Sequence, residues 1–248
     1  MPAPTFRAAS TIASGLNDVA ITFPTGFAAN DILVLGLEGA NQSNAQAHTN
    51  LTNNNWIRVA NTNTVFGTAA TAQAVKLDIW WRRVTSNANT AVNIVDFGDH
   101  TMAVMAAYSN CVTTGDPWST GTGAGMNVVQ GTAVAQVTFS NITTSAANTL
   151  VLNWITGPND SAAAFINASP VVIITSPSGD ETDITERIDG GTTSGGGGQI
   201  GLIEFRKPSA GQTGNLRINL ATSNVATMWT GALIGTSDAF PFAFSCFT

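Results

Sequence analysis

Apolar and polar residues alternate with a period of two along most of the chain, the spacing of β-strands that bury one face. Val19-Ala20-Ile21-Thr22-Phe23 alternates and halts at Pro24-Thr25-Gly26, a turn signal. Ile32-Leu33-Val34-Leu35-Gly36-Leu37 is a continuous apolar run bounded by polar residues, too short for a helix, and reads as a strand buried on both faces. Trp56–Val59 and Leu77–Val84 follow. The second of these, rich in aromatic and β-branched residues, is the strongest strand signal of the first half. Its neighbours Trp80 and Trp81 must face opposite sides of a sheet. Val92–Phe97 and Met102–Tyr108 complete this half. The second half reads as strands at Val134–Phe139, Thr149–Ile155, Val171–Thr175, Ile184–Ile188, Ile200–Arg206, Asn215–Leu220 and Ala226–Gly235. Ser161–Asn167 predicts one or two helical turns at most. Gly190–Gly198, with four consecutive glycines, predicts a flexible surface loop.

The two halves repeat each other in outline. Ile21-Thr22-Phe23 and the later Ala28-Ala29-Asn30-Asp31 answer Val137-Thr138-Phe139 and Ala146-Ala147-Asn148-Thr149. Ile79-Trp80-Trp81-Arg82-Arg83 answers Ile203-Glu204-Phe205-Arg206-Lys207, and Val92-Asn93-Ile94 answers Leu216-Arg217-Ile218, each 124 positions later. This pattern predicts an all-β, jelly-roll-like antiparallel sandwich made by internal duplication. It is expected to be one domain over residues 1–248. Two pseudo-repeats, at about 17–110 and 132–236, are joined by a Gly-rich bridge at 111–131 and followed by an aromatic tail at 237–248. Strands of both halves are expected to share each sheet. Two tandem immunoglobulin-like sandwiches are the alternative.

Composition narrows the function. Charged residues make up 10% of the chain and the formal charge is −6. Two lysines, Lys76 and Lys207, are all it has. That disfavours a phosphate backbone as partner, because nucleic-acid binding needs clustered cations; Arg82-Arg83 reads instead as a strand end. No apolar run approaches the ~20 residues of a membrane helix, and the N-terminus reads as lacking a secretory signal. The polar surface must be made of Asn, Thr, Ser and Gly, so packing it against a neighbour desolvates few ions. Phe240, Phe242, Phe244 and Phe247 crowd the C-terminus, each worth ~1.5–3 kcal/mol of burial. They are candidates either to seal the sandwich or to form a subunit interface. Cys111 and Cys246 read as buried thiols, with a single disulfide as the alternative.

The ionisable residues give no catalytic constellation. His48 and His100 lie in separate loops and lack a Gly-x-Ser-x-Gly elbow. Glu38 and Glu204, the acids nearest to strands, are not paired by any spacing that glycoside hydrolysis would require. Asp180, Glu181, Asp183, Glu186 and Asp189 cluster within a short stretch, and Asp180, Asp183 and Glu186 are weak candidates for calcium. A solvated acidic strand edge is the plainer reading. Trp118, in a Gly/Pro-rich loop, is the candidate for stacking on a sugar ring. The expectation is a non-enzyme with no cofactor.

The strand ending in Pro24-Thr25-Gly26, then Asn30-Asp31-Ile32-Leu33-Val34-Leu35, then Trp80-Trp81-Arg82-Arg83-Val84-Thr85 and Ala106-Ala107-Tyr108-Ser109-Asn110, resembles a group of tailed-bacteriophage structural proteins described as tail-associated, fibre-like or decoration proteins. The resemblance spans most of the first half and, through the duplication, part of the second. It implies a virion location and a non-catalytic role in capsid decoration or in the tail. The low charge, the Asn/Thr-rich surface and the aromatic C-terminus fit packing against identical neighbours, as homo-oligomers, trimeric or larger, that contact other virion proteins. The chain lacks the coiled-coil or glycine-triplet shaft of a long fibre. A carbohydrate-binding module recognising a host surface glycan is the alternative.

Overall fold

The computed structural model of the chain describes residues 2–40, 48–59, 64–66, 74–85, 91–96, 98–119, 128–167, 173–175 and 180–236. The aromatic tail, including Phe240, Phe242, Phe244, Phe247 and Cys246, lies outside the described residues.

The architecture is an all-β antiparallel sandwich. The first half supplies β1 (Thr5–Ala9), β2 (Ala13–Gly15), β3 (Val19–Thr22), β4 (Ile32–Ala40), β5 (Ile57–Arg58), β6 (Thr64–Phe66), β7 (Val75–Arg83), β8 (Ala91–Ile94) and β9 (Thr101–Ser109). One short helix, α1 (Thr49–Asn53), precedes β5. The second half supplies β10 (Val128–Thr138), β11 (Thr143–Thr144), β12 (Thr149–Gly157), β13 (Ile173–Thr175), β14 (Thr182–Thr192), β15 (Gly198–Lys207), β16 (Gly211–Gln212) and β17 (Asn215–Leu233). Ser161–Asn167 is not helical.

Each large sheet is drawn from one half alone. The first runs β1-β9-β4-β7-β5 and the second β10-β17-β12-β15-β14. Strands from the two halves therefore do not mix within a sheet, contrary to the expected exchange. Sequential strands pair with the least loop-closure cost, and each repeat contains a complete set. The two orders correspond strand for strand, with β4 matching β12, β7 matching β15 and β9 matching β17. β3 and β8 form a separate two-stranded ribbon in the first half, pairing Ile21 with Val92. In the second half the matching pieces stay joined: Val137 pairs with Ile218 within β10 and β17, which also pair farther along at Val128–Met228. A single 19-residue strand thus replaces the two read from the sequence.

The sheets stack face to face, about 10 Å apart as paired sheets do. β4 lies against β15, and its counterpart β12 lies against β7, the reciprocal contact of an approximate two-fold arrangement. Between them lies one core of Ile32, Val34, Leu77, Ile79, Trp81, Leu152, Trp154, Ile200, Leu202 and Trp229, among others. Each repeat also has its own outer core. Leu33, Leu35, Trp56, Trp80 and Ile94 fill the first; Val151, Phe165, Ile203, Phe205 and Ile218 fill the second. This explains why the central strands are apolar at every position. Both faces of each main sheet are covered, so β4, β7, β9 and β12 are buried nearly throughout. Trp80 and Trp81 enter different cores, as strand alternation requires.

Candidate functional site

The residues with chemical potential collect along the seam between the repeats. Glu38 follows the apolar core of β4 and points towards the second sheet. His100, just ahead of β9, reaches it with Nε2 at 2.6 Å from Oε2. The opposite ring nitrogen, Nδ1, lies 3.4 Å from the Gly195 carbonyl in the 3-10 turn that precedes β15. Both side chains are completely buried. Burial raises the Glu38 pKa, against the opposing pull of His100. For His100, burial alone would lower the value, but the hydrogen bond and charge of Glu38, the Gly195 carbonyl and the Asp99 charge together raise it. The backbone of Gly198 closes over the pair: a Cβ there would stand 2.7 Å from Glu38 Oε2. The geometry is that of a proton-sharing dyad, yet no substrate reaches two groups of zero exposure.

The expected loose glycine loop is instead part of this seam. β14 continues through Gly190 and Gly191 to Thr192, and a 3-10 turn leads directly into β15. Gly195 and Gly197 hold left-handed φ values of +60° and +76°, accessible to glycine at little cost. A Cβ on either would collide with the backbone, of Asp99 and Asp160 respectively. The glycines are there because two repeats and a turn meet with no room for side chains.

At the other end of the seam Glu204 of β15 faces Tyr108 of β9 and binds Arg187 of β14, with Nη2 at 2.7 Å and Nε at 2.8 Å from Oε1. Burial raises the Glu204 pKa; Arg187 and Tyr108 oppose the shift. Burial also drives the Tyr108 phenol well above its ordinary value. Arg187 stacks over Phe6 at 4.3 Å, tying the first strand of one repeat to the edge of the other. Glu38 stands opposite Met102 and Tyr108 stands opposite Ile32 in the same ladder. The two buried glutamates are thus separated by roughly 20 Å, six residues of extended strand. A pair of carboxylates about 5–9.5 Å apart, as glycoside hydrolysis uses, is not formed by these two.

The acidic stretch disperses. Asp180 binds Lys207 and Ser209. Glu181 accepts from the Gly214 amide at 2.8 Å. Asp183 pairs with Arg206 at 3.3 Å, and Asp189 accepts the Phe165 and Ile166 amides. Glu186 is raised by partial burial and by Asp189. Among the described residues no group of three or more His, Cys, Asp or Glu comes together to hold a metal ion, so Asp180, Asp183 and Glu186 do not converge as calcium ligands would. β14 alternates its side chains across an edge strand, sending successive acids to different partners.

Trp118 is not exposed either. It retains 8% of its accessible surface, bridges its backbone to Leu233 and packs edge-on against Trp229 at 5.2 Å and 88°. The bridge after Cys111 runs along the end of β17, and this pulls the indole into the central core. No open stacking face remains on it. Cys111 is buried, and its thiol is pushed up to about 12 by burial; Cys246, its possible disulfide partner, lies outside the described residues.

His48 lies on the outer face of the first sheet, edge-on to Trp80 at 6.0 Å, with Arg58 over the same indole at 4.7 Å. Burial, then the charges of Lys76 and Arg58, push His48 down to about 4, so it is neutral near pH 7. Lys76 is lowered to about 8, chiefly by burial. Arg58 also binds Asp78 at 2.9 Å.

Sequence reasoning treated Glu38 and His100 separately and missed their pairing. One signal was available: a glutamate in an otherwise apolar strand must find a partner, because a lone buried carboxylate is too costly. The chain matches no protein-family model, no curated protein and no solved structure.

Proposed function

We propose that this chain is a non-catalytic structural subunit of a tailed-bacteriophage virion, decorating the capsid or forming part of the tail by packing against neighbouring subunits. The observation that carries the reading is where the scarce charge goes. Arg7–Asp31, Arg58–Asp78, His100–Glu38, Arg187–Glu204, Arg206–Asp183 and Lys207–Asp180 all bond within the scaffold. In five of these pairs at least one partner is buried, Arg206–Asp183 being exposed, and with charged residues at 10% of the chain the exterior offers mainly uncharged polar groups, which cost less to desolvate than ions. The phage-like sequence motifs are consistent with this role. Three of the four fall on β4, β7 and β9, adjacent strands at the centre of one sheet, where they act as packing elements, and the fourth follows β3.

The test is the mass of the full chain in solution by light scattering, with co-sedimentation on phage particles that lack it. The reading expects a stable oligomer, trimeric or larger, that binds particles. It expects the oligomer to dissociate when residues 239–248, with Phe240, Phe242, Phe244 and Phe247, are removed. A monomer that ignores the truncation and leaves particles bare would overturn it.

A further inference from the structure

We propose that the buried Glu38–His100 pair is a proton-operated latch between the two repeats: one proton held on the Nε2···Oε2 contact keeps the seam closed, and its removal as pH rises loosens it.

The geometry supplies the argument. Glu38 and His100 belong to the first repeat, while the Gly195 carbonyl and the Gly198 backbone that enclose them belong to the second. Nδ1 must carry hydrogen to donate to Gly195. The 2.6 Å contact between Nε2 and Oε2 then needs one further proton, whichever atom holds it. With that proton the pair is neutral overall. Without it a carboxylate is left charged and fully buried against a neutral ring. The relief available is for the two repeats to separate at this end and admit solvent. The charged group that acts on His100 from its own loop is Asp99, which favours keeping the proton. From the second repeat the facing groups are backbone, with Asp160 the charged residue packed beside Gly197.

The sign follows from linkage. Both groups are raised, Glu38 above 4.5 and His100 above 6.5. Between each ordinary value and the raised one the folded chain binds more protons than the unfolded chain, so stability falls as pH rises. The histidine part of this loss begins above about pH 6.5.

The chain has two histidines and six tryptophans, so its own side chains report the latch. With the full chain labelled at histidine nitrogen, the His100 ring is expected to release its second proton only above its ordinary value, while His48, pushed down to about 4, stays neutral near pH 7. As His100 loses that proton, the indole N–H signals of the seam (Trp81, Trp118, Trp154 and Trp229) are expected to exchange faster than those of the outer core, Trp56 and Trp80. The unfolding midpoint of the wild-type chain should fall as pH rises above about 6.5. Glu38→Gln, which removes the carboxylate, should flatten that fall. The proposal is overturned if His100 titrates at or below its ordinary value, or if seam and outer indoles respond alike. The spectra of the unaltered chain decide the matter even where Glu38→Gln fails to fold.

Discussion

Gly36 shows how much a single hydrogen atom decides at the seam. It sits in β4 opposite Trp154 of the second sheet, and a Cβ there would stand 2.7 Å from the indole Cε3. The indole fills the space because the residue lacks a side chain. Overpacking a close-packed core forces backbone shifts or strained rotamers. Gly36→Ala is therefore expected to cost roughly 1–3 kcal/mol, read as a lowered urea midpoint at unchanged slope. A loss below about 0.5 kcal/mol would show that Trp154 moves aside freely. From the sequence Gly36 is an interruption in an apolar run; only the partner sheet gives the reason for it.

At the scale of elements, β14 and β15 show that charge matters by burial rather than by count. Two ion pairs bond across this ladder. Glu204 retains 3% side-chain exposure beside Arg187, whereas Asp183 retains 69% beside Arg206. Removing the cation from a buried carboxylate leaves its desolvation uncompensated, while an exposed pair is already half-satisfied by water. Arg187→Ala is expected to destabilise the chain by about 3 kcal/mol, and Asp183→Ala by less than about 1 kcal/mol. Chemical denaturation of both variants checks the order, and equal losses would refute it. Strand boundaries belong to the same scale. Asn215–Leu220 and Ala226–Gly235 read as two strands because the polar Thr222-Ser223-Asn224 separates them. In the fold the backbone runs on through exposed Ala221, Thr222 and Ser223 and buried Asn224, with bulges against β10 absorbing the bend.

For the whole molecule, the segregation of each repeat into its own sheet sets what the halves can do apart. Each half has an outer core of its own, yet its inner face carries large apolar residues that only the other half covers. Residues 1–119 and 120–248, made as separate chains, are expected to co-purify as a one-to-one complex and to aggregate when made singly. Two soluble, folded, monomeric halves would refute this. The same segregation explains the location of the polar joints. Glu38–His100 and Glu204–Arg187 lie towards opposite ends of the shared core, where the packing of two twisted sheets gives way to turns.

The alternation of apolar residues determined by itself that the chain is all-β, where most of the long strands lie, and that one pattern occurs twice; it did not mark the short strands β1, β2, β6, β11 and β16. These are local properties, set by the two-residue period of a strand and by turn chemistry. The positions of the central strands, and the burial of Ile32–Leu37 on both faces, followed from them. Tertiary structure decided what depends on contacts between distant residues. It kept the repeats in separate sheets, drew Trp118 into the core and packed the glycine run into the seam. It scattered the acids of β14 among different partners and joined Glu38 to His100 across 62 positions. A periodic pattern says which face of a strand is apolar, but not which other face it meets. In this chain the ionisable residues acquire their partners only at that meeting.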